Sequence, residues 1–272
     1  MILSVRGLSR SFGGLTVVDD VSLDVQAGTA LGVVGPNGAG KTTLLNLLDG
    51  VLAADAGRIE LDGRDVTDAS AAQRCQAGIG RTYQTPRPFS GMTVFENVLV
   101  GAVHGAGLRG GPAHRAALDC LRRTGLLGRA DELAGDLRLL DRKRLELARA
   151  LACAPRLLLL DEIAGGLTDA ELPELIGLVG ELRDTGTAVI WIEHIVHALV
   201  EVADRMLCLA QGAVLAEGRP DEVLGDPAVR EVYLGSSVEA LGAGDAGAPA
   251  VEQLAEHPHA GGEPGPGPAE LR

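Results

Sequence analysis

Apolar and polar positions alternate along the first 27 residues of the chain, most clearly over Leu3–Arg6 and Val21–Val25. A period of two residues is typical of half-buried strands, so this segment is predicted to form antiparallel strands. Two later runs, Leu157–Leu160 and Thr187–Ile192, are apolar almost throughout. Strands buried on both faces of a parallel sheet have this pattern. The chain is therefore predicted to be α/β, with an antiparallel N-terminal part.

Helical spacing of apolar residues appears between these strands. It predicts helices over Thr93–Gly101, Ala113–Arg123 and Arg142–Ala154, broken by a glycine-rich loop over Gly105–Pro112. Residues 86–154 are accordingly interpreted as a helical insertion between strands of the core sheet. A further helix, Ala170–Arg183, separates the two apolar strands in a β-α-β arrangement.

Shorter elements complete the predicted domain, which spans residues 1–235. They are a strand over Gly57–Gly63, a helix over Ala69–Gln76, a strand over Ile79–Tyr83, strands over Met206–Ala210 and Ala213–Ala216, and a helical pair reaching about Leu234. From residue 236 to 272 the chain is rich in Ala, Gly and Pro. Such a composition cannot bury enough apolar surface to fold, so this segment is predicted to be a disordered tail.

Charge and cysteine usage exclude several classes of function. The formal net charge of −13 argues against a nucleic-acid-binding protein, which needs a basic face. Neither a signal peptide nor an apolar run long enough to span a bilayer is visible, so any membrane role is expected to act through a partner. The four cysteines are scattered without a C-x-x-C pair, which fits a reducing cytosol. Cys153 and Cys208 lie in apolar runs and are predicted to be small core residues.

A glycine-rich motif between a predicted strand, Ala30–Val34, and a predicted helix is the strongest chemical signal. It fits G-x-x-x-x-G-K-[ST], the phosphate-binding loop, and consists of Gly35, Pro36, Asn37, Gly38, Ala39, Gly40, Lys41, Thr42 and Thr43. Glycines let the backbone curl so that its N–H groups face a phosphate, and the helix dipole favours the same anion. Lys41 supplies a cation for the β- and γ-phosphates, and the Thr42 hydroxyl a ligand for Mg²⁺.

Polar residues follow the apolar strands where ligands of open α/β sheets bind. Asp161 and Glu162 end one strand, Glu193 and His194 another, and Gln84 follows the strand that begins at Ile79. Phe12, one of few aromatic residues, lies in a glycine-flanked loop. It is a candidate platform on which adenine stacks, with a role as a core residue as the alternative.

This ordered set of motifs resembles the ATP-binding subunits of ABC transporters over residues 2–235. The closer resemblance is to subunits that energise uptake of branched-chain amino acids, and it rests on Arg10–Leu15, Gly78–Phe89 and Thr93–Val98. It implies a P-loop NTPase (RecA-like) core with an antiparallel β subdomain and a helical subdomain, ATP as ligand, and Mg²⁺.

The resemblance also assigns roles to single residues. Asp161 matches the acid that holds Mg²⁺, and Glu162 matches the carboxylate that orients or deprotonates the attacking water. Gln84 matches the glutamine that senses Mg²⁺ and the γ-phosphate and links the core to the helical insertion. His194 matches the histidine that contacts the γ-phosphate, and Lys41 completes the catalytic set.

Three positions depart from the family pattern. Ile163 replaces a proline, and Thr168 stands where many members have aspartate. The signature Leu-Ser-x-Gly-Gln, which clamps the γ-phosphate bound to the opposite subunit, reads Leu137-Arg138-Leu139-Leu140-Asp141. The Ser hydroxyl and the Gly that permits close backbone approach are both missing. We therefore hypothesise a heterodimer with a second, related ATPase that carries an intact signature, with a dimer of two copies of this chain as the alternative.

The resemblance implies an ATPase that drives transport through separate integral-membrane permease subunits, with a solute-binding protein as an indirect partner. Such a subunit is cytoplasmic and peripheral to the inner face of the cell membrane. Branched-chain amino acids, urea or short amides are the expected cargo. A lipid or lipopolysaccharide exporter subunit, a soluble ABC protein acting on ribosomes or DNA, and a regulatory pseudo-ATPase remain as alternatives.

Overall fold

The structure, a computed structural model, describes residues 1–233, so the tail predicted for residues 236–272 lies outside the described residues. The strands are β1 (Leu3–Phe12), β2 (Leu15–Val25), β3 (Ala30–Val34), β4 (Ala56–Leu61), β5 (Arg64–Asp65), β6 (Ile79–Arg81), β7 (Leu157–Asp161), β8 (Ala188–Ile192), β9 (Arg205–Ala210) and β10 (Ala213–Gly218). The α-helices are α1 (Lys41–Leu48), α2 (Ala71–Ala77), α3 (Val94–Val100), α4 (Gly111–Arg123), α5 (Leu139–Ala152), α6 (Leu172–Asp184), α7 (Val196–Val202) and α8 (Pro220–Gly225). A π-helical turn spans Gly101–Gly105, and short 3₁₀ turns span Leu127–Arg129 and Ala134–Asp136.

Two sheets organise these elements. The first is antiparallel, in the order β2-β1-β4-β5, and Leu3 pairs with both Val25 and Leu61. The second has the order β10-β9-β3-β8-β7-β6 and is parallel except for β10 at its edge. The predicted α/β class, with an antiparallel N-terminal part and a parallel core, is confirmed.

The parallel sheet is covered on both faces, as its apolar strands predict. Along β7, Leu157 and Leu159 pack with α1 and the antiparallel sheet, whereas Leu158 and Leu160 pack with the helices of the opposite face. This alternation leaves no polar position within β7 before Asp161. The first polar side chains therefore appear where the strand ends, and that is where the candidate site lies.

The helices α3, α4 and α5 fill the interval between β6 and β7, within the residues predicted as an insertion. Several predicted boundaries differ from the observed ones. The first helix, α3, ends at Val100, next to the predicted end at Gly101, and the chain continues from Gly101 into the π-helical turn. A Cβ at Gly101 would lie 2.6 Å from the Arg149 carbonyl oxygen, so this glycine permits close packing rather than ending the helix. The third helix begins at Leu139 rather than Arg142.

Candidate functional site

A glycine-rich loop joins the carboxyl end of β3 to the first turn of α1. The loop has positive φ angles at Gly35 and Gly40, 149° and 99°, a range that favours glycine. A Cβ at Gly35 would lie 2.1 Å from the Leu209 carbonyl oxygen, and one at Gly40 would lie 2.4 Å from that of Val17. The surrounding backbone leaves room only for hydrogen at both positions. The loop therefore curls tightly and presents the N-terminus of α1, which suits a phosphate.

The other predicted loop residues occupy distinct positions. Asn37 and Gly38 are exposed at the tip of the loop, whereas Ala39 is buried and donates its N–H to the Pro36 carbonyl at 3.2 Å. Thr43 lies in the first turn of α1 and is half-buried. The loop thus offers backbone rather than side chains at its tip.

Lys41 lies over this loop. Its ammonium donates hydrogen bonds to the carbonyl oxygens of Gly35 (2.7 Å) and Pro36 (3.0 Å). Burial lowers the pKa of Lys41, and the charges of Glu162 and Asp161 oppose that shift. The residue therefore places a buried positive charge between the loop and the two acids at the end of β7.

Asp161 is held by two groups from different elements. The Thr42 hydroxyl, in the first turn of α1, donates to its Oδ1 at 3.5 Å, and the Arg81 guanidinium, at the end of β6, donates to its Oδ2 at 3.1 Å. Arg81 also bonds the Asp49 carboxylate and donates to the Asn46 side chain at 2.7 Å. Burial raises the pKa of Asp161, and the charge of Arg81 opposes that shift.

Glu162 adopts a strained backbone next to Asp161. Its φ is +46°, which is uncommon for a residue other than glycine, and its N–H donates to the Ile192 carbonyl at 2.9 Å. The Gln84 side-chain amide donates a hydrogen bond to Oε2 of Glu162. The two predicted residues are therefore brought together, although 78 positions separate them in the chain. Strain of this kind is concentrated at functional sites.

The oxygens at this point suit a magnesium ion. The structure of residues 1–233 contains no cluster of three or more His, Cys, Asp or Glu side chains arranged for a metal. Mg²⁺ is usually bound by one or two protein oxygens together with phosphate oxygens and water, so a complete protein cage is not required. The Thr42 hydroxyl and the Asp161 carboxylate, in contact beside the phosphate loop, fit that requirement.

His194 follows β8 at the same edge of the sheet, because Ile192 pairs with Asp161 in the adjacent strand. Its side chain is 63% exposed, with Nδ1 3.9 Å from Oε2 of Glu193. A Cβ added to Gly165 would lie 3.8 Å from Cε1 of His194. The histidine thus borders the turn that follows Glu162.

Glu193 holds the turn that follows Glu162 in place. Its Oε1 accepts hydrogen bonds from the Ala164 N–H (2.6 Å) and the Trp191 indole N–H (3.3 Å). Burial raises the pKa of Glu193. The buried Lys143 ammonium, from α5, interacts electrostatically with Glu193 and Glu162. These contacts connect the ends of β7 and β8 to α5, the helix that begins at the signature residues.

Phe12 ends β1 at the tip of the first hairpin and is 45% exposed, so it is not a core residue. The Arg10 guanidinium lies 5.0 Å from the centroid of its ring. The next strand, β2, reaches the phosphate loop, since the Val17 carbonyl lies against Gly40. Phe12 is thus an exposed ring on the hairpin that borders the loop.

The degenerate signature forms the start of α5. Arg138 is the N-cap residue, and its side chain makes no capping hydrogen bond. Leu139 is 44% exposed, and its Cδ2 would lie 3.2 Å from a Cβ at Gly166. Asp141 forms ion pairs with Arg129 and Arg144. Leu140, which stands where the family pattern has glycine, is half-buried in the first turn of α5.

The last described residue also reaches the site. The Gly35 N–H donates a hydrogen bond to the Tyr233 hydroxyl at 2.7 Å, and burial raises the pKa of Tyr233 to about 12. Sequence reasoning missed this contact and missed Arg81, and it placed Glu193 at the end of its strand without assigning it a role. The signal for Arg81 was a charge inside a short predicted strand, since a buried cation needs an anionic partner. The sequence contains no comparable signal for Tyr233.

Between residues 1 and 233, no helix is long and apolar enough to cross a bilayer. The model of the family described as "ABC transporter" matches residues 18–165. A second model, described as "Branched-chain amino acid ATP-binding cassette transporter", matches residues 213–239.

Characterised proteins are similar to this chain over most of its length. The high-affinity branched-chain amino acid transport ATP-binding protein LivG of Salmonella typhimurium is 39% identical over 252 residues, covering 87% of this chain and 98% of that protein. The corresponding protein BraF of Pseudomonas aeruginosa is 37% identical over the same shares. The lipopolysaccharide export system ATP-binding protein LptB of Haemophilus influenzae is 33% identical over 86% of this chain and 97% of that protein.

Solved structures have the same fold. A nucleotide-free ATP-binding cassette from an ABC transporter superposes with a TM-score of 0.78 at 31% identity, covering 85% of this chain and 98% of that one. The ADP conformation of an ATP-binding cassette superposes with a TM-score of 0.78 at 32% identity, covering 86% and 98%.

Proposed function

Because this chain belongs to the ABC transporter family and is an ATP-hydrolysing subunit, we propose that it energises uptake of branched-chain amino acids or related small polar solutes through separate permease subunits. The support for the cargo is the family match at residues 213–239 and the identity of 37–39% to LivG and BraF. The observation that carries the catalytic part is the convergence of Lys41, Asp161, Glu162 and Gln84 at one edge of the parallel sheet.

Each residue at this edge of the sheet has a separate role in hydrolysis. The loop backbone and Lys41 bind the phosphates, and His194 contacts the γ-phosphate. Thr42 and Asp161 hold Mg²⁺, which neutralises charge on the phosphate oxygens when bound. Glu162 orients the attacking water and accepts its proton. Phe12 stacks on the adenine.

Gln84 links this chemistry to the rest of the transporter. Its bond to Glu162 joins the catalytic edge to the connector over residues 85–89, which leads into the helical insertion. The Arg87 N–H of this connector donates to Glu146 of α5 at 2.8 Å. We infer that a shift of Gln84 on ATP binding or hydrolysis moves the insertion, and that the permease responds to this movement.

The signature supports a heterodimer with a second, related ATPase. Two such chains closing on ATP would present the partner's signature to the γ-phosphate bound by Lys41. The site that uses the signature of this chain would be weak, because the side chain of Leu140 stands where backbone must approach. This subunit therefore supplies one working set of catalytic residues.

A decisive test compares Glu162→Gln with the parent chain, each mixed with the related ATPase and permease subunits of the proposed assembly. The variant should bind ATP with unchanged affinity and lose hydrolysis by about a hundredfold or more, since only a transition-state contact is removed. Glu201→Gln, an exposed glutamate of α7, is the matched control and should hydrolyse ATP normally. Equal hydrolysis by parent and Glu162→Gln would refute the assigned role.

The cargo is tested by uptake of labelled leucine into proteoliposomes that contain the complete assembly. Leucine accumulation that depends on ATP and is lost with Glu162→Gln supports the proposal. The 33% identity to LptB makes lipopolysaccharide export the alternative. Extraction of lipopolysaccharide from the membrane, with no uptake of leucine, would favour the export function instead.

A further inference from the structure

Two cysteines that lie far apart in the sequence meet in the fold. The side chains of Cys75, on α2, and Cys153, at the end of α5, lie close enough to interact with each other. Cys153 caps the C-terminus of α5 and also donates to the Arg149 carbonyl at 3.4 Å. The prediction that Cys153 is simply a small core residue was wrong, because it is only half-buried.

Both thiols line an open cavity of about 350 Å³. The cavity lies where α2 faces the end of α5 and the π-helical turn, and its wall includes His104, Gly105 and Arg149. A Cβ at Gly105 would lie 2.3 Å from the Cys153 sulfur, so the glycine makes room for it. Small solutes can reach a thiol pair that borders such a space.

The two thiols of the pair differ in acidity. The interaction with Cys153 lowers the pKa of Cys75 to about 7, while the same interaction raises the pKa of Cys153. Cys120 and Cys208 are buried, and burial raises the pKa of each to about 11. Reactivity follows thiolate character and exposure, which singles out Cys75.

We propose that Cys75 and Cys153 form a redox-modification site at which hydrogen peroxide converts the two thiols reversibly into a disulfide. The Cys75 thiolate attacks one oxygen of the peroxide and the O–O bond breaks, giving a sulfenic acid at Cys75 and a hydroxide, which takes from solvent the proton that Cys75 had lost and becomes the first water. The Cys153 thiol then gives its proton to the leaving hydroxide and attacks the Cys75 sulfur. The S–S bond forms, a second water leaves, and the two electrons lost by the sulfurs have reduced the peroxide.

The disulfide joins two parts of the fold that the proposed function requires to move. Helix α2 is fixed to the core, because Arg74 donates to the carbonyls of Leu47 (2.5 Å) and Leu48 (3.0 Å) at the end of α1. Cys153 lies at the end of α5, which carries the signature at its start. The bond therefore restrains α5 relative to the core. This restraint slows the ATPase cycle, a consequence that rests on the proposed function.

The test treats the full purified chain with hydrogen peroxide and maps its peptides by mass spectrometry. Two of the four thiols should disappear, and the peptides containing Cys75 and Cys153 should be joined with the loss of two hydrogen atoms. Dithiothreitol should restore both thiols. Cys153→Ser should stop at a sulfenic acid on Cys75 that dimedone traps, whereas Cys120→Ala should form the same disulfide as the parent.

Peptides of Cys75 and Cys153 that stay separate in the treated parent chain overturn the proposal, as does peroxide consumption that is unchanged in Cys75→Ser. Peptide mapping needs no ATP, so it is independent of the proposed function. If the disulfide forms but neither redox state hydrolyses ATP with the partner subunits present, the proposed function fails and the site stands. A disulfide-bonded chain that hydrolyses ATP as fast as the reduced chain contradicts the restraint on the cycle.

Discussion

Arg81 donates a hydrogen bond of 3.1 Å to Asp161, and both side chains are almost fully buried, with exposed fractions of 6% and 5%. The guanidinium also bonds Asp49, so a single cation serves two buried carboxylates. The arrangement fixes the orientation of Asp161 toward Thr42. It also opposes the rise in the pKa of Asp161 that burial causes, and so helps to keep this acid ionised.

Replacing Arg81 with methionine should therefore affect both stability and the site. The change leaves two buried carboxylates without their cation, and we expect it to lower the free energy of unfolding by about 3 kcal/mol. The pKa of Asp161 should rise further, so Mg-ATP binding should weaken more at low pH than at high pH. Urea denaturation and nucleotide titration at two pH values measure these effects.

Arg58→Met is the matched control, because Arg58 pairs with Glu60 and Asp65 on the surface and is 59% exposed. It should change the free energy of unfolding by less than about 1 kcal/mol. An Arg81→Met chain as stable as the control would show that the buried pairs contribute little.

Gly35 should not tolerate even an added methyl group. Its φ is +149°, and a Cβ added there would lie 2.1 Å from the Leu209 carbonyl oxygen, so alanine must displace backbone. We expect Gly35→Ala to cost roughly 2 kcal/mol of stability and to weaken ATP binding at least about tenfold. Urea denaturation and titration with a fluorescent ATP analogue measure both changes.

Gly128→Ala provides the comparison, because a Cβ at Gly128 meets nothing within 4 Å and its φ is not positive. Its binding of the analogue should equal that of the parent. Normal binding by Gly35→Ala would mean that the loop can rearrange without loss.

Arg138→Ser should restore a missing helix cap. Arg138 is the N-cap of α5 and has the extended backbone that capping residues adopt, but its side chain makes no capping bond. A serine hydroxyl there can accept from a free N–H of the first turn and should add about 1 kcal/mol to the free energy of unfolding. Arg138→Ala, which removes the same side chain without adding an acceptor, should show no such gain in thermal denaturation.

The same position tests the signature. With Leu140→Gly added, Arg138→Ser should raise ATP hydrolysis by the chain alone, because the hydroxyl and the small residue needed at the opposite subunit's phosphate are both restored. Hydrolysis is measured over a range of protein concentrations. A rate no higher than that of the parent chain would argue that the signature does not limit activity.

Alkylation of Cys75 should depend on pH around neutrality. The thiolate is the reactive form, so the rate with iodoacetamide should rise with pH and reach half its maximum near pH 7, the pKa of Cys75. The other charged or titratable side chains at the cavity are Asp49, Arg81, Tyr83, His104, Glu146 and Arg149. Quantitative peptide mapping at a series of pH values gives the profile.

Cys153→Ala removes the interaction that lowers this pKa. Its alkylation profile should therefore move to higher pH, toward that of an ordinary thiol. An unchanged alkylation profile would mean that a group other than Cys153 lowers the pKa of Cys75.

The fold class and most elements could be predicted because they depend on local pattern. The apolar strand before Asp161 and the motif around Lys41 each carry a signal within a few residues. Contacts between distant segments could not be predicted in this way. Periodicity tells that Cys75 and Cys153 lie on helices, but not that α2 faces the end of α5.

The same limit applies to the site. Strand ends predict that Asp161, Glu162 and His194 share an edge of the sheet, and Gln84 was recognised from a resemblance. Arg81 was visible as a charge, yet its two carboxylate partners lie just after α1 and at the end of β7, and only the order of the strands brings them together. Roles that require a bound nucleotide, such as stacking by Phe12, stay predictions.

The hydroxyl of Tyr233 on the Gly35 amide brings a residue 198 positions further along the chain against the glycine-rich loop. A protein shortened so far that Tyr233 is lost, or fused directly after α8, would lack this contact while keeping every recognised motif intact. Loss of activity in such a product would say nothing about the motifs themselves.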